Sequence, residues 1–230
     1  MASSRRAGRW TGAAALTAVL SLALLALTES PAGAATRVAA WNMDDTGSTM
    51  SDATARGHTG TLHHVATQQP GLSGKAFGFS GTPSYVTVPA SGDFTPGSGT
   101  FRIQLSVRFN SRPSASVVDY DLLRMGLSST SGGDYKIEIL QNGRAFCLFR
   151  GSSGTVSVTG GPVLADSKWH TLVCSRTATS VVLTVDGTSF STAGRTGSIT
   201  SSTTLLIGAK DSSGADQYTG LMDAVSISKG

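Results

Sequence analysis

Thr100-Phe101-Arg102-Ile103-Gln104-Leu105-Ser106-Val107-Arg108-Phe109 is the stretch whose pattern decides the fold. Phe101, Ile103, Leu105, Val107 and Phe109 alternate strictly with Arg102, Gln104, Ser106 and Arg108. Successive side chains of an extended strand point to opposite faces. A period of two therefore buries one face against a second layer and leaves the other at least partly wet. On either side lie further strand-length segments: Val38 to Met43, Ala76 to Phe79 and Tyr85 to Val88 before it; Trp169 to Cys174, Thr204 to Ile207 and Leu221 to Ile227 after it. Gly/Ser/Thr-rich turns separate them, and no later stretch carries an apolar stripe at helical spacing. Many short strands with turn signals between them predict an all-β sandwich or barrel and argue against a parallel sheet.

Two hairpins are expected from dipeptides that accept positive φ at low cost. Asn142-Gly143 joins Tyr135–Leu140 to Arg144–Phe149, and Asp186-Gly187 joins Val181–Val185 to Thr188–Phe190. Cys147 and Cys174 are the two cysteines, each inside an apolar strand segment. An even number in an oxidising compartment reads as one disulfide. Closing a loop of about 28 residues, it is worth about 3.6 kcal/mol by chain entropy.

The first 34 residues read as a secretory signal peptide. Arg5, Arg6 and Arg9 give a basic start, Gly12 to Leu27 is almost wholly apolar, and Ala32-Gly33-Ala34 supplies the small-x-small cleavage site. Gly8 and Arg9 come after the arginine pair where a twin-arginine signal wants apolar residues, which favours ordinary unfolded export. The apolar run is shorter than the ~20 residues of a bilayer span, so no membrane span is expected after cleavage. Residues 35–230 then form a single secreted domain. Removing Arg5, Arg6, Arg9 and Glu29 from 18 basic and 14 acidic residues leaves 15 and 13, a net charge of +2. With its basic residues scattered singly, such a chain excludes nucleic acid as the natural partner.

Several segments in order resemble the laminin-G-like, concanavalin A-like lectin/glucanase superfamily. They are Trp41-Asn42-Met43-Asp44-Asp45, Gly74-Lys75-Ala76-Phe77-Gly78-Phe79, Trp169-His170 with Val185-Asp186-Gly187, Leu206-Ile207-Gly208, and Gly220-Leu221-Met222-Asp223-Ala224-Val225. The resemblance implies two antiparallel sheets of six or seven strands in a jelly-roll sandwich. It also implies calcium, with Asp44 or Asp45 and Asp223 at matching positions.

The residues themselves point to the same loop for a metal. Asp44, Asp45 and Asp52 lie together after the first strand, interspersed with Gly and Ser, and carboxylates mixed with backbone carbonyls suit a hard cation. Asp223 shares a face with Leu221, Val225 and Ile227, where a bare carboxylate is costly; it either accepts backbone N–H groups at the sheet rim or ligates the metal. Trp41 and Trp169 occupy expected core positions, which leaves Tyr120, Tyr135 and Tyr218 as the candidate stacking residues for a sugar.

Catalysis is not expected. Glu138 is the one glutamate beyond the signal and has no acidic mate two residues away on its strand, whereas glycoside hydrolysis needs two carboxyls flanking the bond. Asp119 and Asp121 sit in a segment rich in loop formers. The leading expectation is a secreted, non-catalytic lectin-like module for extracellular or cell-surface glycans. The alternatives are a structural or protein–protein module of the cell envelope and a polysaccharide-active enzyme.

Overall fold

The structure, a computed structural model, describes residues 1–2, 35–81 and 83–230. The proposed signal peptide lies almost wholly outside the described residues. Residues 33–230 form one compact unit, which carries every strand among the described residues.

Sixteen strands account for nearly all of its regular structure. They are β1 (Thr36–Trp41), β2 (Thr49–Met50), β3 (Gly60–His63), β4 (Ala66–Pro70), β5 (Lys75–Ser80), β6 (Tyr85–Val88), β7 (Phe101–Arg108), β8 (Asp119–Met125), β9 (Asp134–Leu140), β10 (Ala145–Gly151), β11 (Gly154–Gly160), β12 (His170–Arg176), β13 (Ser180–Val185), β14 (Thr188–Ala193), β15 (Leu205–Ile207) and β16 (Thr219–Lys229). They build two eight-stranded antiparallel sheets. The first runs β14-β13-β12-β7-β16-β5-β4, with β1 also paired to β16; the second runs β11-β10-β9-β8-β15-β6-β3-β2. Each sheet is larger than the six or seven strands expected. β2, β3 and β4 are too short or too polar to show a period, and β8 and β11 lie in stretches rich in Asp, Gly, Ser and Thr.

The decisive strand behaves as its pattern predicts. β7 sits between β12 and β16, with Phe101, Ile103, Leu105 and Val107 at 1% exposure or less. Against them lie Ile137, Ile139 and Phe149 of the other sheet, all in one continuous core. At about 25 cal/mol per Å² of apolar surface removed from water, this interface between the sheets is the main stabilising term. Trp41 is fully buried as expected, but Trp169, which stands one residue before the start of β12, is only half-buried.

The hairpins separate into two kinds. Val185 pairs with Thr188, and both Asp186 (φ 48°) and Gly187 (φ 83°) take the left-handed conformation that a two-residue turn requires. The first hairpin is different. Gly143 donates to the Leu140 carbonyl at 2.7 Å and Leu140 to that of Arg144 at 2.9 Å, so the loop is the three residues Gln141 to Gly143. Only Gly143 (φ 81°) is left-handed there, while the Asn142 side chain caps the Arg144 N–H. Cys147 on β10 and Cys174 on β12 are disulfide-bonded, with Cα atoms 5.4 Å apart. The bond joins one sheet to the other through the core.

Candidate functional site

The residues expected to hold calcium are distributed differently. Asp52 accepts the backbone N–H groups of Ala40, Thr54 and His58 and the Thr54 hydroxyl. Burial would raise its pKa, but these donors together hold it below the usual value. Asp45 caps the Ser51 N–H. Asp44 and Asp223 grip the β4–β5 turn from two sides: Asp44 accepts from Lys75 at 2.7 Å, and Asp223 from Leu72 at 2.8 Å and Ser73 at 3.1 Å. Gly71 and Gly74 let the two carboxylates approach, since a Cβ on either would collide with them or with Lys75. Burial raises the Asp223 pKa, and the charge of Asp44 adds to the effect. Of the two roles open to Asp223, the structure displays the backbone acceptor. These four carboxylates do not converge on one point; among the described residues only Asp119, Asp121 and Asp216 do so.

The three tyrosines are also placed otherwise. Tyr120 is 5% exposed, and Tyr135 and Tyr218 are wholly buried. Tyr120 and Tyr218 pack edge to face with each other and with Phe109, while Tyr135 packs on Phe101 and Phe149. Their ring faces are spent on the core, so they are not stacking platforms. The hydroxyls find backbone carbonyls, Tyr135 at Phe94 and Tyr218 at Leu221 and Arg108.

What the outer face of the second sheet carries instead is set by register. Direct partners in an antiparallel ladder project from the same face. Asp121 stands opposite Glu138, Glu138 opposite Phe146, and Phe146 opposite Thr159, which makes one row across β8, β9, β10 and β11. The next row is Arg124, Lys136, Leu148 and Ser157. Phe146 is half-buried, with the Lys136 ammonium 5.6 Å from its ring centroid. It is the aromatic side chain that this face does present.

At one end of these rows the carboxylates gather. The segment before β16 returns alongside β8: the backbone carbonyl of Asp216 accepts the Asp121 N–H at 2.9 Å, and the backbone of Gln217 bridges to that of Asp121. Arg124 binds Asp121 at 2.8 Å, Lys210 binds Asp216 at 2.9 Å, and Lys136 pairs with Glu138. Asp119 has no cation of its own among the described residues, so the cluster keeps an excess of carboxyl groups. The consequences are electrostatic. Burial first, and the Glu138 charge second, push Asp121 up to about 8. Burial, then Asp121 and Asp216, push Asp119 up to about 6. Burial likewise raises Glu138. Two carboxyls this close cannot both ionise without a compensating cation.

Asp119 Oδ1, Asp121 Oδ1 and both amide atoms of Gln217 are buried without a hydrogen-bond partner. Leaving such atoms unmet costs free energy of about 1–3 kcal/mol each. Ligand oxygens of Asp119, Asp121 and Asp216 lie within 4.8 Å of one another, the spacing set by oxygens about 2.3–2.6 Å from a shared calcium. The donor set therefore fits a hard cation. Above it opens a cavity of about 340 Å³ lined by Asp119, Asp216, Lys136, Lys210 and Leu148. A second of about 270 Å³ shares Leu127 and Lys210 with it and adds Thr203, Thr204 and Leu206, so the two form one trough.

A protein-family model described as the concanavalin A-like lectin/glucanases superfamily (laminin G type) matches residues 80–230. The chain belongs to this family. Solved structures agree on the fold. The binding domain of Paraclostridial mosquitocidal protein 1 superposes with a TM-score of 0.65 at 13% identity, covering 84% of this chain and 48% of that one. Domain 4 of AbnA, an extracellular arabinanase from Geobacillus stearothermophilus solved with arabinotriose, gives 0.60 at 18% identity over 85% of this chain and 93% of that one. Mouse laminin α1 domains LG4-5 give 0.55 at 19% identity over 72% and 44%. The chain thus spans about half of the mosquitocidal and laminin chains. No curated protein matches it by sequence.

Within this laminin G-type domain, the sequence held one signal for the acidic cluster: Asp119 and Asp121 at a two-residue spacing. Of its partners, Glu138 arrives from β9 and Asp216 and Gln217 from the segment before β16, and no local pattern announces them.

Proposed function

We propose that the chain is a secreted, non-catalytic lectin-like module that binds a glycan along the trough on its second sheet, with calcium held by Asp119, Asp121 and Asp216. The observation that carries this reading is the convergence of Asp119, Asp121 and Asp216, with one oxygen each of Asp119 and Asp121 unmet, beneath a trough that Asp119 and Asp216 line. Calcium takes six to eight oxygens in flexible geometry. It would meet Asp119 and Asp121 and replace the proton that burial forces on them; water and ligand hydroxyls would complete the shell. Phe146, outside the cavity lining but beside Lys136 on the same outer face, supplies an apolar ring, and Thr155, Ser128 and Ser129 supply hydroxyls around the cavity. An arabinan-active enzyme's domain of this fold, solved with arabinotriose, supports sugar as the ligand class. Catalysis fits poorly, because Asp121 and Glu138 are at most 1% exposed and cannot reach a glycosidic oxygen laid in the trough.

The test has two stages. Chelator-treated protein titrated with calcium chloride in a calorimeter should show one site and a raised melting temperature, both lost in Asp119→Ala. A panel of arabinans, glucans, galactans and sialosides is then screened with and without calcium. Retention that depends on calcium and on Phe146 supports the reading. No heat with calcium and no retained glycan would overturn it.

A further inference from the structure

A charged side chain is fully buried almost only when an opposite charge is buried with it. Arg176, at the end of β12, is an exception: it is 2% exposed and has no carboxylate partner among the described residues. All of its N–H groups are engaged, by the carbonyls of Gly97, Gly99 and Gly197 and by the Thr196 hydroxyl. These acceptors satisfy hydrogen bonds but carry no net negative charge. A full positive charge is therefore left in the wall of the fold without a counter-ion.

That wall borders a cavity. Arg176 lines a space of about 200 Å³ together with Ser98, Ser153, Thr177, Arg195 and Thr196. It shares no lining residue with the trough. Asp and Glu are absent from residues 94–118, 139–165, 167–185 and 187–210, the stretches that supply every part of the lining. Arg195 adds a second positive charge, exposed and without an ion pair among the described residues. Ser98, Ser153 and Thr177 are exposed beside it, and a hydroxyl can turn its proton toward whatever acceptor arrives. The segments are also fixed to one another. The Ser153 N–H donates to the Thr196 carbonyl at 3.0 Å, and Gly97 and Ile199 exchange both of their backbone bonds at 2.9 Å. A cationic cavity held in this way costs little to order when an anion enters.

We propose that this cavity is an anion site, separate from the trough, that takes one sulfate or phosphate group, either free or as an ester on a larger ligand. Arg176 contributes charge alone, because its N–H groups are already engaged. Arg195 contributes the donors of its planar fork, which can bind two oxygens at once. The hydroxyls of Ser98, Ser153 and Thr177 meet the remaining oxygens. A group with three or four acceptor oxygens uses this set of donors more fully than a carboxylate with two. The cavity is smaller than the ~300–1,000 Å³ of sites for drug-sized ligands, so it suits one group rather than a length of sugar chain.

Titration calorimetry in the presence of chelator tests this independently of any calcium bound beside the trough. Inorganic sulfate and inorganic phosphate are titrated at constant ionic strength, followed by glucose 6-sulfate and glucose 6-phosphate with glucose as the blank. Wild type should bind one anion per chain. Arg195→Gln should weaken binding by about tenfold, whereas Arg37→Gln, which removes an equal charge from β1, should leave it unchanged. Far-ultraviolet circular dichroism verifies that both variants are folded. Tighter binding of an ester than of its inorganic anion identifies the ester as the source of the group, and the reverse identifies the free anion. No heat from any of the four anions overturns the proposal. So does a dissociation constant that Arg195→Gln leaves unchanged, or one that Arg37→Gln weakens equally, since diffuse surface charge would then account for the binding.

Discussion

Arg176, the last residue of β12, is 2% exposed and has no carboxylate partner among the described residues. Its guanidinium instead spans two loops. It donates to the carbonyls of Gly99 at 3.1 and 2.9 Å, Gly97 at 2.7 Å and Gly197 at 2.8 Å, and to the Thr196 hydroxyl at 2.8 Å. Burial depresses its pKa, so the fold bears a desolvation cost to keep the fork in place. Arg176→Ala returns that cost but strands the carbonyls of Gly99 and Gly197, while that of Gly97 keeps the Ile199 N–H. At about 1–3 kcal/mol for each unmet acceptor, less the recovered desolvation and whatever water enters, the net loss should be about 3 kcal/mol. For a domain of this length that corresponds to about 6–12 °C in melting temperature. Arg176→Lys keeps the charge but not the fork, and should recover less than half. Urea denaturation followed by tryptophan fluorescence measures the loss. Hydrogen exchange should then place the new flexibility at residues 97–99 and 196–199, with the β8–β9 hairpin unchanged. A variant within about 0.5 kcal/mol of wild type, the range of ordinary surface changes, would show that the loops hold themselves.

Replacing Cys147 and Cys174 together by Ala should lower stability by about 2–5 kcal/mol without abolishing the fold, as read by chemical denaturation; alkylation of either cysteine in folded, oxidised protein would show that the bond is absent. In metal-free protein, stability should fall as pH rises. Asp119 and Asp121 bind protons in the folded state up to about 6 and about 8, so the folded state holds more protons than the unfolded chain from about pH 4 upward. His170, whose Nδ1 meets Asp186 at 2.6 Å and Nε2 Asp166 at 3.0 Å, has a raised pKa despite burial. Its contribution is complete below pH ~6.5 and is lost as pH rises through the folded value. Melting curves in chelator at about pH 5 and about pH 8.5 should differ accordingly, and Asp121→Asn should flatten the slope; a melting temperature that rises toward alkaline pH contradicts the assignment. Phe146→Ala should leave stability nearly unchanged, because the ring is half-buried, yet abolish retention of the glycan panel.

How far the sequence could be read depended on whether a feature is local. The period of two at Phe101–Phe109, the Asp186-Gly187 turn and the apolar setting of both cysteines each rest on side-chain alternation or backbone angles within a few residues. Composition and spacing were enough to predict the all-β sandwich and the disulfide. The size of each sheet and the acidic site were decided by pairing between distant strands. Asp121 meets Glu138 only through the register of β8 on β9, and Asp216 joins them from a segment more than ninety positions later in the chain. The same distinction explains Tyr120, Tyr135 and Tyr218. Nothing in their neighbourhoods says which face of the strand a second sheet will cover, and an aromatic ring becomes a platform or a core residue according to that cover alone. Phe146 and Tyr135 are both aromatics on the β9–β10 hairpin. The facing sheet buries one, and the other is left on the outer face beside the carboxylates.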